Sequence, residues 1–473
     1  IISAILIYIP TEIIIIQIIQ YIFGRVIKPK LIPKMDFQNG VPEEFATFVV
    51  IPTILSNKEK VEEILKKLEV YNLANQSDNL YFALLGDCTS SDRETEEFDQ
   101  EIEETGKQIV KALNEKYPNT KFPKFSFIYR KRIWNEKERC YLGWERKRGL
   151  LNQFNEYILG NSQNQFKVNT IEEKKADEIK VPEIKYIITL DSDTELVLNT
   201  GLELIGAMSH ILNQPILNND KTKVIHGYGI MQPRVGINLR AVGKTKFTKI
   251  YAGLGGTDSY TNAISDFYQD NFGEGIFTGK GIYDLQVFSD VLKNQIPENT
   301  VLSHDLLEGN YLRCALASDV ILLDGYPTSY NSFKTRIHRW TRGDIQILRW
   351  LKSKIKNNQN QSQKNPLNTI SKYKILDNLV RSIFEPIILI AFIFILFMDA
   401  FYKINIWPMV AILFISLLSP MIIQIVNRVI SKQNGEVSQR TFEKQIDGIK
   451  GSVIRGILEI ATLPDKAYTL LDA

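Results

Sequence analysis

Apolar and polar positions along this chain fall into two alternating registers. Short runs rich in β-branched and aromatic residues give way to longer stretches with helical spacing. "FATFVVIPT", closing at Thr53, predicts a buried strand, and "KEKVEEILKKLEVYNL" predicts an amphipathic helix. "NLYFALLGD" predicts a second strand, ending at Asp87, followed by a charged helix over "ETEEFDQEIEETGKQIVKALNEKY". "KFSFIYRKR" predicts a third strand and "KRGLLNQFNEYIL" a further helix. The polar stretch Asn161 to Lys180 reads as a mobile loop, and the strand "YIIT" then leads into "LDSDTEL". Such βαβ alternation predicts an α/β domain over 41–352, with a mostly parallel sheet covered by helices on both faces. Residues 353–380 read as a linker.

Three longer apolar stretches change the picture. Ile1 to Phe23 is long enough to span a bilayer, but Pro10 and Glu12 at its middle fit a re-entrant or interfacial helix equally well. We therefore assign 1–40 as an N-terminal membrane or interfacial segment. It begins without Met and has no cleavage pattern, so it is not read as a signal peptide, and the chain is expected to be a segment of a longer protein. Pro386 to Met398 and Ile406 to Val426 predict two transmembrane helices within 381–430, with Asp399 and Lys403 in their connection. Residues 431–473 read as an interfacial C-terminal segment. Basic residues flank these spans: Arg25, Lys28, Lys30 and Lys34, then Lys372, Lys374 and Arg381, then Arg428 and Lys432. By the positive-inside rule they put the α/β domain on the cytoplasmic side of a multi-pass protein in contact with membrane lipid.

Composition excludes several classes. With 44% hydrophobic and 23% charged residues the chain folds and is not disordered. A net charge of +3, with no basic stripe carrying interleaved aromatics, argues against a nucleic-acid partner. Cys88, Cys140 and Cys314 are far apart, and the four histidines do not cluster as a zinc site.

Candidate chemistry sits where predicted strands end. Asp191 and Asp193 follow a buried strand at the carboxyl edge, where open α/β sheets bind ligands. One or two carboxylates with phosphate oxygens completing the shell suit a hard divalent cation, Mg²⁺ or Mn²⁺. A polar strand exit is the plain alternative. Asp87 could accept hydrogen bonds from a base or ribose, or cap a turn. "WERKRG" offers Arg146, Lys147 and Arg148 to phosphates, or only a solvated helix start. Asp305 in "NTVLSHDLLEGNYLRCAL" is either a helix cap or a catalytic carboxylate. "KTRIHRWTRGDIQILRW" packs Arg336, His338, Arg339, Trp340 and Arg342 into seven positions, suited to a diphosphate and a sugar face, or to a membrane surface.

The order of these elements resembles the processive inverting glycosyltransferases of the cellulose and hyaluronan synthase type. "IWNEKERCYLGWERKRG", "VIHGYGIMQPRVG", "SDFYQDNFGEGIFTGKGIYD", "SHDLLEGNYLRCALASDV" and "RIHRWTRGDIQI" are more specific. They are similar to the glycosyltransferase region of cyclic β-1,2-glucan synthases. That resemblance implies a GT-A-type α/β domain with membrane helices in a bacterial inner membrane, UDP-glucose as donor and a growing glucan as acceptor. It implies Asp305 as the base, and Asp191 and Asp193 as metal ligands. Thr53, Asp87, Lys147, Arg148, Arg339 and Arg342 would bind the nucleotide; Trp340, Glu274, Gly279, Lys280 and His338 would bind the acceptor. Arg336 stands where the wider family has Gln, which leaves that position's role open. Relatives carry further domains, so the chain is expected to be an excised transferase core or a shortened relative. A transferase of different linkage or acceptor, and a non-enzymatic membrane scaffold on this fold, remain the competing readings.

Overall fold

The computed structural model describes residues 2–176, 179–252, 266–403, 405–433 and 448–473. Helix α1 (Ile2–Val26) runs continuously through Pro10. After it, β1 (Thr47–Leu55), α2 (Lys58–Ala74), β2 (Leu80–Cys88), α3 (Glu97–Lys116) and β3 (Phe125–Tyr129) follow the predicted alternation. Helix α4 (Arg146–Ile158), short strand β4 (Val168–Asn169), β5 (Tyr186–Thr189) and β6 (Glu195–Leu196) come next. The second half adds β7 (Ile230–Ile237), β8 (Gly281–Asp284), α5 (Asp305–Leu312) and β9 (Cys314–Asp324). Five helices complete the chain: α6 (Tyr330–Gln346), α7 (Thr369–Ser382), α8 (Phe384–Tyr402), α9 (Trp407–Gln433) and α10 (Gly448–Asp472).

The nine strands form one sheet in the order β4-β3-β2-β1-β5-β8-β7-β9-β6. The long pairings are parallel, and the antiparallel ones are short. Alternate residues of β1 and β2 feed two separate cores. Val49, Ile51, Phe82 and Leu84 face one, and Phe48, Val50, Tyr81 and Ala83 the other, all fully buried. Such central strands have no polar face, which is why they read as continuous apolar runs. Each large side chain buried this way contributes roughly 1.5–3 kcal/mol. In α2, Val61, Ile64, Leu65 and Leu68 make the buried stripe, and the Asn57 side chain caps the helix by accepting from Lys60 N at 3.0 Å.

Topology explains why one edge of this sheet collects the chemistry. β1, β2, β5 and β9 all point the same way, so Asp87, Asp191 and Asp324 emerge together. β8 runs against β5, with Gly281 opposite Thr189. The residues entering β8, Gly279 and Lys280, therefore arrive at that same edge.

Several expectations need correction. Residues 161–180 are not a free loop: Phe166, Val168 and Ile171 are buried beside β3, in a strand followed by the helix Thr170–Ala176. Residues 177 and 178 lie outside the described residues. The expected linker 353–380 is folded too. It holds a hairpin (Lys354–Lys356 with Ser362–Lys364) and α7, and buries Ile355, Leu367 and Ile375 in the main core. β1 continues past Thr53 to Leu55. Asp399 lies in the last turn of α8, and Lys403 caps it.

Two helical stretches, Leu6–Gly24 and Phe384–Tyr402, are long and apolar enough to cross a membrane, and Trp407–Ile423 is a shorter apolar stretch. Helix α1 packs on α8 and α9, and α10 packs on α6, α8 and α9. Residues 434–447 of the expected interfacial segment, and the side chains of Arg25, Arg428 and Lys432, lie outside what is described. Two of the basic flanking residues also contact the α/β domain. Lys34 pairs with Glu203 and Asp319, and the buried Lys374 donates to Gly275 O at 2.8 Å.

Asn75, fully buried after α2, holds the segment that follows the D-x-D. Its amide donates to Tyr71 O and Val197 O at 3.2 Å and accepts from Gly201 N at 2.7 Å. Replacing it by Ala strands at least two buried backbone groups, each costing about 1–3 kcal/mol. Asn75→Ala is therefore expected to lower the melting temperature by several degrees, measured by thermal unfolding in detergent.

Candidate active site

The edge carries a chain of alternating charges. Asp324, at the end of β9, receives a hydrogen bond from Thr194 Oγ1 at 2.6 Å and pairs with Lys280. Lys280 Nζ reaches Asp191 Oδ2 at 3.2 Å, and Asp191 Oδ1 meets Lys147 Nζ at 2.6 Å. Lys147 also donates to Gly279 O at 2.8 Å. Burial works against the charge on Asp191, but Lys147 and Lys280 outweigh it and hold its pKa far below the usual carboxylate range. Burial likewise opposes the Lys147 ammonium, yet Asp191 and then Asp305 hold its pKa above the ordinary value.

Asp305 closes the other side. It is the first residue of α5, and the cap position belongs to His304, whose side chain makes no capping bond. The cap alternative for Asp305 therefore fails. Gly279, at φ +89°, lets its backbone approach this carboxylate; a Cβ there would sit 2.8 Å from both Asp305 oxygens. Behind it, His304 Nδ1 lies 2.8 Å from Glu308 Oε1 and 3.6 Å from Asp305 Oδ1. Burial disfavours the imidazolium, but the two carboxylates outweigh it and raise the pKa of His304. Ligand atoms of these three side chains lie within 4.8 Å of one another.

Asp87 lies under a cover. Gly143 passes so close that a Cβ would stand 1.8 Å from Asp87 Oδ1. Arg130 lies 3.6 Å from Oδ2, which is buried without a hydrogen bond. Burial pushes this carboxyl up, and Arg130 and Arg146 pull it only part of the way back. Thr53 sits beside Gly86 in the register of β1 and β2, next to Asp87.

Other candidates divide by helix face. Along α6, Phe333, Ile337, Trp340, Thr341 and Asp344 line a cavity of about 310 Å³ that also contains Asp305 and Thr278. Trp340 is 36% exposed, leaving its ring accessible. Arg339 and Arg342 are exposed and make no ion pair among the described residues. His338 points elsewhere, 3.4 Å from Asp472 of α10. Arg148 is buried against Glu145 at 3.2 Å and Ile296 O, away from the edge. Glu274 is buried in the field of Lys223 and Lys374, outside the cavity. The structure thus brings Asp87, Thr53, Lys147, Asp191, Asp193, Gly279, Lys280, Asp305 and Trp340 to one edge, and leaves Arg148, Glu274 and His338 out.

One position left open by the sequence finds a partner, and one residue, Asp324, escaped the sequence reading. Arg336 lies 3.5 Å from Asp193 Oδ2 and 5.9 Å from the Trp340 ring centre. Asp324 anchors Lys280. It ends the strand "CALASDVILLD" as Asp87 ends its own, and that parallel was the available signal.

A mostly parallel sheet whose carboxylate-bearing edge faces a basic and aromatic helix fits a glycosyltransferase. Over 458 residues the chain is 33% identical to the cyclic beta-(1,2)-glucan synthase NdvB of Rhizobium meliloti (strain 1021). The match takes in 96% of this chain and 15% of that protein, so the chain is related over nearly its whole length to a small segment of a glucan synthase. This bears out the resemblance drawn from the motifs. No protein-family profile matches the chain.

Lys280 is the counterion of a buried acid. Burial raises the pKa of Asp324, and Lys280 is the main opposing influence. Lys280→Met leaves Asp324 uncompensated, which costs about 3–5 kcal/mol for a broken buried pair. Without the ammonium its folded pKa rises further above the unfolded value of about 3.9. The folded state then binds more protons than the unfolded one, so stability falls as pH rises. The deficit of Lys280→Met is expected to be largest near pH 8 and to shrink towards pH 5, as read from denaturant unfolding of both proteins across that range.

Proposed function

We propose that this chain transfers glucose from UDP-glucose to the 2-hydroxyl of a growing β-1,2-glucan, with inversion, at the cytoplasmic face of a bacterial membrane. The observation that carries the reading is the meeting of Asp305, Trp340, Gly279 and the Lys147–Asp191 pair at one sheet edge. The relationship to a glucan synthase supports the substrate class, and the apolar helices together with the basic flanks support the placement.

In this reading the acceptor sugar lies on the exposed face of Trp340, and its 2-hydroxyl points at Asp305. The Asp305 carboxylate takes the hydroxyl proton while the oxygen bonds to the anomeric carbon. The bond from that carbon to the diphosphate breaks on the opposite side, giving a β-linkage from an α-linked donor and releasing UDP. Lys147, Arg339 and Arg342 supply positive charge where the leaving diphosphate develops negative charge. Asp87, whose Oδ2 lies 3.6 Å from Arg130 and accepts no hydrogen bond, would accept from an N–H of the nucleobase, with Thr53 beside it.

A divalent cation fits Asp193 better than Asp191. The Asp193 side chain is 43% exposed and only loosely paired with Arg336, whereas both oxygens of Asp191 face ammonium groups. Asp193 would hold Mg²⁺ or Mn²⁺ together with phosphate oxygens of the donor, and the ion would neutralise charge on the diphosphate.

Asp305→Asn keeps the shape and removes the proton acceptor. Positioned bases contribute about 10²- to 10⁴-fold to rate. We expect the variant to retain its melting temperature and UDP-glucose affinity while transfer falls by that factor. The assay follows UDP release and linkage analysis of the product with UDP-glucose and magnesium or manganese. A folded, donor-binding Asp305→Asn that polymerises at the parent rate would remove Asp305 from this role, and a product without 1,2-linkages would remove the glucan assignment.

A further inference from the structure

Asp305 reaches the cavity from the first position of α5, and the side chains behind it are charged as well. His304 and Glu308 are joined by the backbone bond from Glu308 N to His304 O at 3.0 Å, so their side chains share one helix face. Both are buried. The imidazole Nδ1 lies 2.8 Å from Glu308 Oε1 and 3.6 Å from Asp305 Oδ1, yet it is aligned with neither as a hydrogen bond. What joins the three is charge. Two carboxylates this close disfavour each other's ionisation unless a cation stands with them. Burial works against the imidazolium, but Glu308 first and then Asp305 outweigh it.

Other charged groups surround this trio. Arg148 of α4 opposes the charge on His304, and is itself taken up by Glu145 and Ile296 O. Lys147 of the same helix acts on Asp305 but pairs with Asp191, and in the transfer reading it turns to the diphosphate. Tyr283 of β8 stands in the field of Glu308, with its hydroxyl bonded to Asn155. Asp344, Arg381, Glu385 and Lys466 line the cavity with Asp305. Among the described residues, His304 is the basic side chain that pairs with Asp305, and it is buried behind that carboxylate.

We infer that His304, held by Glu308, is a positioning residue for transfer: its imidazolium backs Asp305 and keeps that carboxylate charged and facing the cavity. This rests on the reading of Asp305 as the base. His304 touches neither sugar nor donor. When Asp305 takes the acceptor proton, the imidazolium loses one of its two counterions, and Glu308 retains it.

The first test is the titration of His304 by NMR of the whole chain in detergent, with isotope-labelled histidine and the signal identified by replacing His210, His226 and His338 in turn. The parent is expected to keep His304 as imidazolium at about pH 7. Glu308→Gln and Asp305→Asn are each expected to lower its midpoint by roughly one pH unit or more, since each removes a facing carboxylate. The second test is the pH profile of transfer. His304→Gln removes the charge, so the acid limb of kcat/KM is expected to move up by roughly one pH unit or more, with UDP-glucose affinity unchanged. The loss is then greatest at acid pH and narrows as pH rises. A merely structural role would lower the rate at every pH and leave the limb in place. An unmoved limb in a folded His304→Gln overturns the positioning role, as does a neutral His304 in the parent at about pH 7 or a midpoint indifferent to Asp305→Asn. Should His304→Gln melt early, the titration decides, since it uses the parent and the other two variants. An Asp305→Asn that transfers at the parent rate overturns the base, and with it the part of His304 in transfer. An inactive Asp305→Asn beside an unmoved limb in His304→Gln overturns the inference about His304 alone.

Discussion

The site depends on Lys280. Its ammonium lies between Asp191 and the buried Asp324, and its backbone enters β8, so it ties three strand ends into one electrostatic unit. Asp191 in turn fixes Lys147, and Lys147 holds the carbonyl of Gly279, the glycine whose bare Cα lets the backbone pass close to Asp305. Desolvation disfavours each of these charges alone, and each is offset by a neighbour of opposite sign. The arrangement is therefore rigid for an electrostatic reason as well as a steric one. A shift of Lys280 leaves the buried Asp324 without its counterion.

Much of the fold was legible because the central strands are buried on both faces and their apolar runs are unbroken. The acids Asp87 and Asp191 could be placed at a sheet edge from sequence, since they directly follow such runs. What could not be read was which way neighbouring side chains turn. Lys147 and Arg148 are consecutive on a helix, where each residue rotates by about 100°; the first faces the edge and the second the core. His338 is displaced in the same way from the cavity stripe of Ile337 and Thr341. Glu274 lies in a glycine-rich phrase whose later part does reach the site, and only the fold separates it from Gly279.

The folded nature of 353–380 escaped notice for a different reason. Its anchors, Ile355, Leu367 and Ile375, are single apolar residues amid polar ones, and their burial depends on partners far away in sequence. Arg336 was an open position because a wider family pattern has Gln there; its contact with Asp193 needs α6 and the D-x-D turn to be neighbours in space.

The cavity beside Asp305 is walled by α6 on one side and by α7 and α10 on another, with Lys466 and Leu470 supplied from the last helix. Its walls therefore belong to two parts of the molecule that a boundary drawn at residue 352 would sever. A sheet domain excised at that point would keep Asp305 and the strand-end carboxylates and lose a large part of the wall of the cavity beside Asp305. The helices after residue 352 are part of the wall of this cavity, and the smallest unit that retains it whole includes them.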